Sequence, residues 1–370
     1  MKFALVISSD SHAVEPFDLW EKPLGARFGE KIPRLIHNYK GREGKFFACP
    51  GPAGVEPFPV RGLAAGVTDP AEAEEMMLAG YDPAQREKCL EKARVAAEVI
   101  YPTFGLFILG SEDAEVKQAC CEVYNDWIAE FCGHNRKKFC GVAMIAMEEV
   151  HWAVRELERV AKKGMRAAMI PVVPPQGRPP YHESDYDSFW AAAQDLQVPL
   201  TLHAITGRVP DPLTFFDKSK REKEGPQKFV ELLQEIGPTL ADIICGGVLD
   251  RFPGLKLVSC EHEVSWLPYL MFRLDQIQKD FSFAFAVKLR KRASDYIREH
   301  LWSTMIDDPF SLGMRHIVGV DRIMWSSDFP HPRCAYLNTH TILDELLHDV
   351  PSEEGQKIVE GNVAVLYQLG

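Results

Sequence analysis

The chain has 370 residues, 46% of them hydrophobic and 26% charged, which is ordinary globular composition with ample material for a large core. Its formal net charge of −11 excludes a non-specific nucleic-acid binder, which needs a basic surface. No run approaches the roughly 20 apolar residues of a membrane span.

The opening "MKFALVISSDSH" has too short an apolar run for a signal peptide, so a soluble, cytoplasmic protein is expected. Residues 2–10 read as a first strand. In a strand alternate side chains share a face, so Asp10 and His12 are expected to point the same way. Residues 41–82 are rich in Gly and Pro over most of their length and read as an irregular, pocket-forming insertion. Residues 82–95 have helical spacing, and 96–105 read as a strand running into a loop.

The alternation continues. Residues 115–134 are helical, 138–147 a strand, 148–164 an amphipathic helix ended by Gly164, and 165–171 a strand. Residues 185–198 form a helix and 199–204 a strand. A charged insertion follows, then a helix across 226–250. Residues 255–261 are a strand and 265–280 a helix. Strands at 300–308 and 321–328 follow, and helices at 338–349 and 352–369 close the chain. The 9 cysteines are scattered, odd in number and without zinc-type spacing, so most are expected to be small core residues.

Eight strands separated by helices imply parallel βαβ units, and over this length a distorted (β/α)8 TIM barrel forming one domain across 1–370. The irregular insertion falls between the first strand and the first barrel helix. Barrel enzymes place chemistry at the C-terminal ends of their strands. Those ends carry Asp10 and His12 on the first, His203 on the fifth, Glu261 and His262 on the sixth, and Asp328 and then His331 on the eighth. One such residue would be a satisfied core group; four strand ends with metal-ligand chemistry point to a metal site.

The stretches "DSHAVEP", "PLTLHA", "FPGLKLVSCEHEVSWLP", "WSSDFPHP" and "EGNVAVLY" resemble the amidohydrolase superfamily. More narrowly they resemble the amidohydrolase-related family that includes aminocarboxymuconate-semialdehyde decarboxylase. The resemblance implies a divalent metal held by Asp10, His12, His203 and Asp328. Many members have His-x-His on the first strand; Asp10 here makes the site richer in oxygen, suited to Zn, Fe or Mn. The decarboxylases carry an acid/base histidine after strand six, a place Glu261 takes in this alignment, with His262 next to it. Neighbouring strand residues face opposite ways, so Glu261 is expected inward and His262 outward, or at most an extra ligand. Glu261 would then act as a second acid/base or bridge to a second ion, so one or two ions per chain are expected.

On this reading the metal lowers the pKa of a bound water to roughly 7, and Asp328 takes its proton. A hydrolase acting on an ester, thioester (including an acyl-coenzyme A) or amide of an apolar organic acid is therefore expected. The alternative is a metal-dependent non-oxidative decarboxylase of an aromatic or enol carboxylic acid. A non-enzymatic barrel with a vestigial site is a distant third. His331, Arg61 and Tyr101 are candidates for substrate binding, and Glu15 stands between a support for the site and a solvated loop residue. Asp307 and Asp308 read as helix caps. The aromatic "FSFAFA" at 281–286 reads as a lid or an oligomer contact, and a homodimer is expected because homodimers are the commonest oligomers.

Overall fold

In the computed structural model, residues 3–369 are described except 40–41, 49–57, 60–68, 112, 207–226, 228–229, 285–286, 332–333 and 335. The strands among them are β1 (Ile7–His12), β2 (Arg34–Tyr39), β3 (Arg42–Ala48), β4 (Phe58–Pro59), β5 (Ala97–Tyr101), β6 (Phe139–Met144), β7 (Ala167–Ile170), β8 (Leu200–His203), β9 (Leu257–Cys260), β10 (Leu301–Met305) and β11 (Ile323–Trp325). Strands β1 and β5 to β11 pair in parallel in that order, as eight units of a barrel. The seam between β1 and β11 is drawn together by two backbone hydrogen bonds. Asp328 N donates to Asp10 O at 3.0 Å and His12 N to Phe329 O at 2.6 Å. The (β/α)8 architecture expected from the alternation is the one observed.

Every residue of the eight barrel strands except Trp302 is buried. This explains why they read as apolar runs rather than as an alternating pattern. The helices outside follow the expected segments: Pro83–Ala93, Ala114–Gly133, Val150–Lys162, Asp187–Asp195 and Leu267–Asp280. Asp82 caps the first of these through Ala84 N and Gln85 N, and Asp113 caps the second through Val116 N. Asp308 caps Pro309–Gly313 and also accepts from Val264 N and Ser265 N, so the capping role read from the sequence holds.

Three expectations change. The segment read as irregular contains β3, which pairs antiparallel with β2 and β4, and a helix at Pro70–Ala79. Phe47 explains the order there: it is buried, stacks on Phe104 at 4.0 Å and packs against Trp20. The helix across 226–250 is interrupted at Gly246 and Gly247, between Ile236–Cys245 and Val248–Arg251, where Gly247 adopts a left-handed φ of 73°. The final helix divides around a π-helical turn at Lys357–Gly361. No helix among the described residues is long and apolar enough to cross a membrane.

Candidate metal centre

Asp10 and His12 reach the mouth of the barrel through a bulge. Ser8 pairs with Glu98 but Ser11 with Ile100, so β1 carries one residue more than β5 over that stretch. Bulges re-aim side chains next to active sites. Here the result keeps both ligand-type groups on one side, with Asp10 Oδ1 3.4 Å from His12 Nε2. His203, the last residue of β8, places its Nε2 3.6 Å from the same oxygen. Asp328 follows β11 in a left-handed turn, φ 53°, and sets Oδ1 3.3 Å from His12 Nε2. All four side chains are buried.

The histidine tautomers follow from their neighbours. Pro102 O lies 2.7 Å from His12 Nδ1 and Ala204 O lies 2.8 Å from His203 Nδ1. A carbonyl only accepts, so both Nδ1 atoms donate and both Nε2 atoms present a lone pair. Those two Nε2 atoms, both oxygens of Asp10 and Oδ1 of Asp328 are buried with no hydrogen-bond partner. Each such orphan costs about 1–3 kcal/mol unless something compensates it. Two carboxylates and two imidazoles joined by these short separations fit a divalent cation, which would give these atoms a partner.

The electrostatics agree. Burial pushes the Asp10 carboxyl up, but the adjacent imidazoles of His203 and His12 outweigh it and hold the group well below the carboxylate range. Burial acts the same way on Asp328, and His331 and His12 together keep it low. Both carboxyls are therefore anions, as ligands must be.

Glu261 and His262 depart from the expectation that only one of them faces inward. β9 ends at Cys260, and Glu261 has a φ of 62°, so strand alternation stops before it applies to this pair. Glu261 Oε2 lies 3.7 Å from His203 Nδ1, its side chain 21% exposed toward solvent. Burial first, then the charge of Asp328, push its carboxyl up to about 7. His262 is also at the site: it is buried, its Nδ1 is 3.2 Å from Ser259 Oγ and its Nε2 has no partner. Burial above all, with His203 nearby, pushes the imidazole down to about 3, leaving it neutral.

The remaining candidates divide. His331 stacks on His12 at 3.9 Å, sets its Nδ1 3.0 Å from Asp328 Oδ1 and meets Thr103 Oγ1 through Nε2 at 3.1 Å. Held by Thr103 and by the stack on His12, it lies directly against Asp328. Tyr101 is not on the rim: it is buried inside the barrel, its hydroxyl 3.1 Å from Thr201 Oγ1 and 3.5 Å from that of Tyr367. Position 101 closes a strand whose pleat turns the ring inward. Arg61 lies outside the described residues.

Glu15 is no solvated loop residue. It is buried and accepts from Thr103 N, Phe104 N and Gly105 N at 3.3, 3.0 and 2.8 Å. It thereby pins the segment whose Pro102 carbonyl orients His12. Gly105 makes room for this: a Cβ there would lie 2.5 Å from Met144 Sδ and 2.7 Å from Pro102 Cβ.

Two residues were missed from the sequence. Arg86, fully buried, forms a bidentate pair with buried Glu98, Nε to Oε1 at 2.6 Å and Nη2 to Oε2 at 2.8 Å. Its Nη1 donates to His12 O at 2.7 Å, Nη2 reaches Phe329 O at 3.4 Å, and the guanidinium lies over the Phe329 ring. One cation thus ties β1 to the loop carrying Asp328. The signal was legible: Arg86 stands on the same helical stripe as the buried Cys89, Leu90 and Ala93.

A family model described as amidohydrolase matches residues 96–369. A gamma-resorcylate decarboxylase of Polaromonas sp. is 27% identical over 265 residues, 66% of this chain and 75% of that protein. Among solved structures, an amidohydrolase of Mycobacterium avium subsp. paratuberculosis superposes with a TM-score of 0.80 at 19% identity, covering 99% of this chain and 98% of that one. The 5-carboxyvanillate decarboxylase of Novosphingobium aromaticivorans, in complex with manganese, gives 0.72 at 19% identity over 100% and 97% of the two chains.

These findings overturn the expectation of a hydrolase. It rested on the ligand set read as activating water, with Glu261 in place of the histidine that decarboxylases carry tilting the balance. The relative in sequence is a decarboxylase, and in the structure a histidine, His262, stands at the site beside Glu261.

Proposed function

The chain belongs to the amidohydrolase family, and on that premise we propose that it is a divalent-metal-dependent, non-oxidative decarboxylase of a hydroxylated aromatic carboxylic acid. The observation that carries this reading is the set of buried, unpartnered donor atoms on Asp10, His12, His203 and Asp328. Its support for decarboxylation is the relative in sequence that removes carbon dioxide from a resorcylate. Manganese, bound by the structural neighbour, is the first ion to test.

A divalent cation on those four residues would gather the substrate carboxylate and an adjacent phenolic oxygen and withdraw their negative charge. The rest falls to the chain. The ring carbon that bears the carboxylate takes a proton. The carbon–carbon bond to the carboxylate then breaks, its electron pair restores the ring, and carbon dioxide leaves. Glu261 supplies that proton on this reading, supported by its position beside His203 and its partial opening to solvent, from which it recovers a proton. His331, hydrogen-bonded to Thr103 and stacked on His12, lies against Asp328, its Nδ1 3.0 Å from Oδ1, and keeps that side chain in position. His262 adds a neutral, uncommitted nitrogen to the wall.

The test is direct. Metal-loaded protein is given 2,6-dihydroxybenzoate and 5-carboxyvanillate, and carbon dioxide is measured in the headspace. In deuterated water one deuterium appears on the ring carbon that lost the carboxylate. Protein carrying stoichiometric metal that releases no carbon dioxide from either compound or from a wider panel of hydroxybenzoates would sink the reading.

A further inference from the structure

We propose that Cys260 is part of the metal centre, a sulfur donor beside Asp10 and His203 that tilts its preference toward borderline and soft divalent ions such as zinc, cobalt and cadmium. The inference rests on the metal-centre reading above and adds to it a ligand of a different chemical kind.

The backbone fixes which way Cys260 projects. β8 and β9 pair in parallel with His203 in register with Cys260, and Ala204 N donates to Cys260 O at 3.1 Å. Residues in register on neighbouring strands project to the same side of the sheet. His203 projects to the centre, so Cys260 does too, whatever its rotamer. Both are fully buried. The thiol sulfur, a carboxylate oxygen of Asp10 and a ring nitrogen of His203 lie within 4.8 Å of one another. Donors on a tetrahedral ion at ordinary zinc–sulfur and zinc–nitrogen distances, about 2.3 and 2.0–2.1 Å, stand about 3.5 Å apart, so the three atoms reach one ion after a modest approach. The oxygens of Asp10 and Nε2 of His203 have no other partner.

Thr304 adds an outer contact. Its Oγ1 accepts from Glu261 N at 3.0 Å, and the hydroxyl donates its one hydrogen to Cys260 Sγ at 3.7 Å. Hydroxyl groups directed at a sulfur are the outer contacts that steady a ligating thiolate. On coordination the thiol releases its proton to solvent. Soft sulfur then favours ions that a carboxylate and imidazole set alone does not distinguish.

The experiment uses the full chain loaded with one equivalent of Co(II) and read by near-ultraviolet and visible absorption. A sulfur-to-cobalt charge-transfer band is expected in the native chain. Cys260→Ser should lose the band while still taking up cobalt, and its cadmium-over-manganese preference should fall about tenfold or more in competition. Stoichiometric cobalt without the band in the native chain overturns the proposal, and so does a band that persists in Cys260→Ser. The native spectrum decides even if the variant fails to fold. Failure to bind cobalt, manganese or zinc at all would instead bring down the metal centre itself, and this inference with it.

Discussion

Two clusters of buried charge sit side by side at the C-terminal end of the barrel, and they are built on opposite principles. Arg86 and Glu98 are fully buried and closed: both carboxylate oxygens are bonded, and the guanidinium spends its remaining donors on the carbonyls of His12 and Phe329. Asp10, His12, His203 and Asp328 are as deeply buried and left open, with donor atoms that no protein group satisfies. The first cluster holds the second in place, since its carbonyl contacts lie on β1 and next to Asp328. A buried polar network that closes on itself is structure; one that stays open at a strand mouth is a site for something else.

The contrast can be broken most severely at the open cluster. Asp328→Asn should lower kcat by about 10³-fold and reduce bound metal, read by steady-state kinetics and elemental analysis. Glu261→Gln should lower kcat by at least about 10²-fold with metal content intact, which separates proton donor from ligand. The closed cluster should behave differently. Arg86→Met leaves Glu98 buried and unpaired and should destabilise the fold by about 3–5 kcal/mol in urea melts. If that variant instead keeps full stability and loses only metal, the division between the two clusters is wrong.

Metal should sharpen the same division. At 100 times its dissociation constant an ion that binds only the folded chain adds about 2.7 kcal/mol, so chelation should lower Tm and Mn(II) restore it. In a variant lacking the donors of Asp10 and His203, that response should vanish.

Glu15 gives a smaller effect with a definite sign. Burial pushes its carboxyl up to about 7 despite its three backbone donors, so the fold favours the protonated form. Its contribution to stability is fully present below the ordinary glutamate value and is lost as pH rises toward about 7. Thermal melts between pH 5 and 8 should therefore show the native chain losing more stability than Glu15→Gln. Smallest of all, Tyr101→Phe should cost about 1 kcal/mol, the worth of its bond to Thr201, with no change in KM.

Much of this was legible in the residues. Buried parallel strands must be apolar throughout, and helices between them must be amphipathic, so the alternation alone implies a barrel. Ligand-type residues directly after apolar runs stood out because burying a charge there is otherwise unfavourable. Asp10, His12, His203 and Asp328 were legible for that reason, and the structure brings them together. Arg86 was legible but overlooked, a charge on a buried helical stripe. Cys260 had no signal, since a thiol at a strand end looks like any small core residue.

What the sequence determined by itself, then, was the order of elements and the identity of the groups at the strand mouths, because periodicity and burial are local properties of a chain. What only the tertiary structure decided was which of those groups meet. Whether Glu261 or His262 faces the centre depends on where β9 stops and on a left-handed residue that ends the alternation. Whether Tyr101 meets substrate or the core depends on the neighbours closing over it. Contacts such as Arg86 to Phe329, 243 positions apart, exist only once the barrel closes. Pleat and period act over a few residues; the seam that makes a site joins the two ends of the chain.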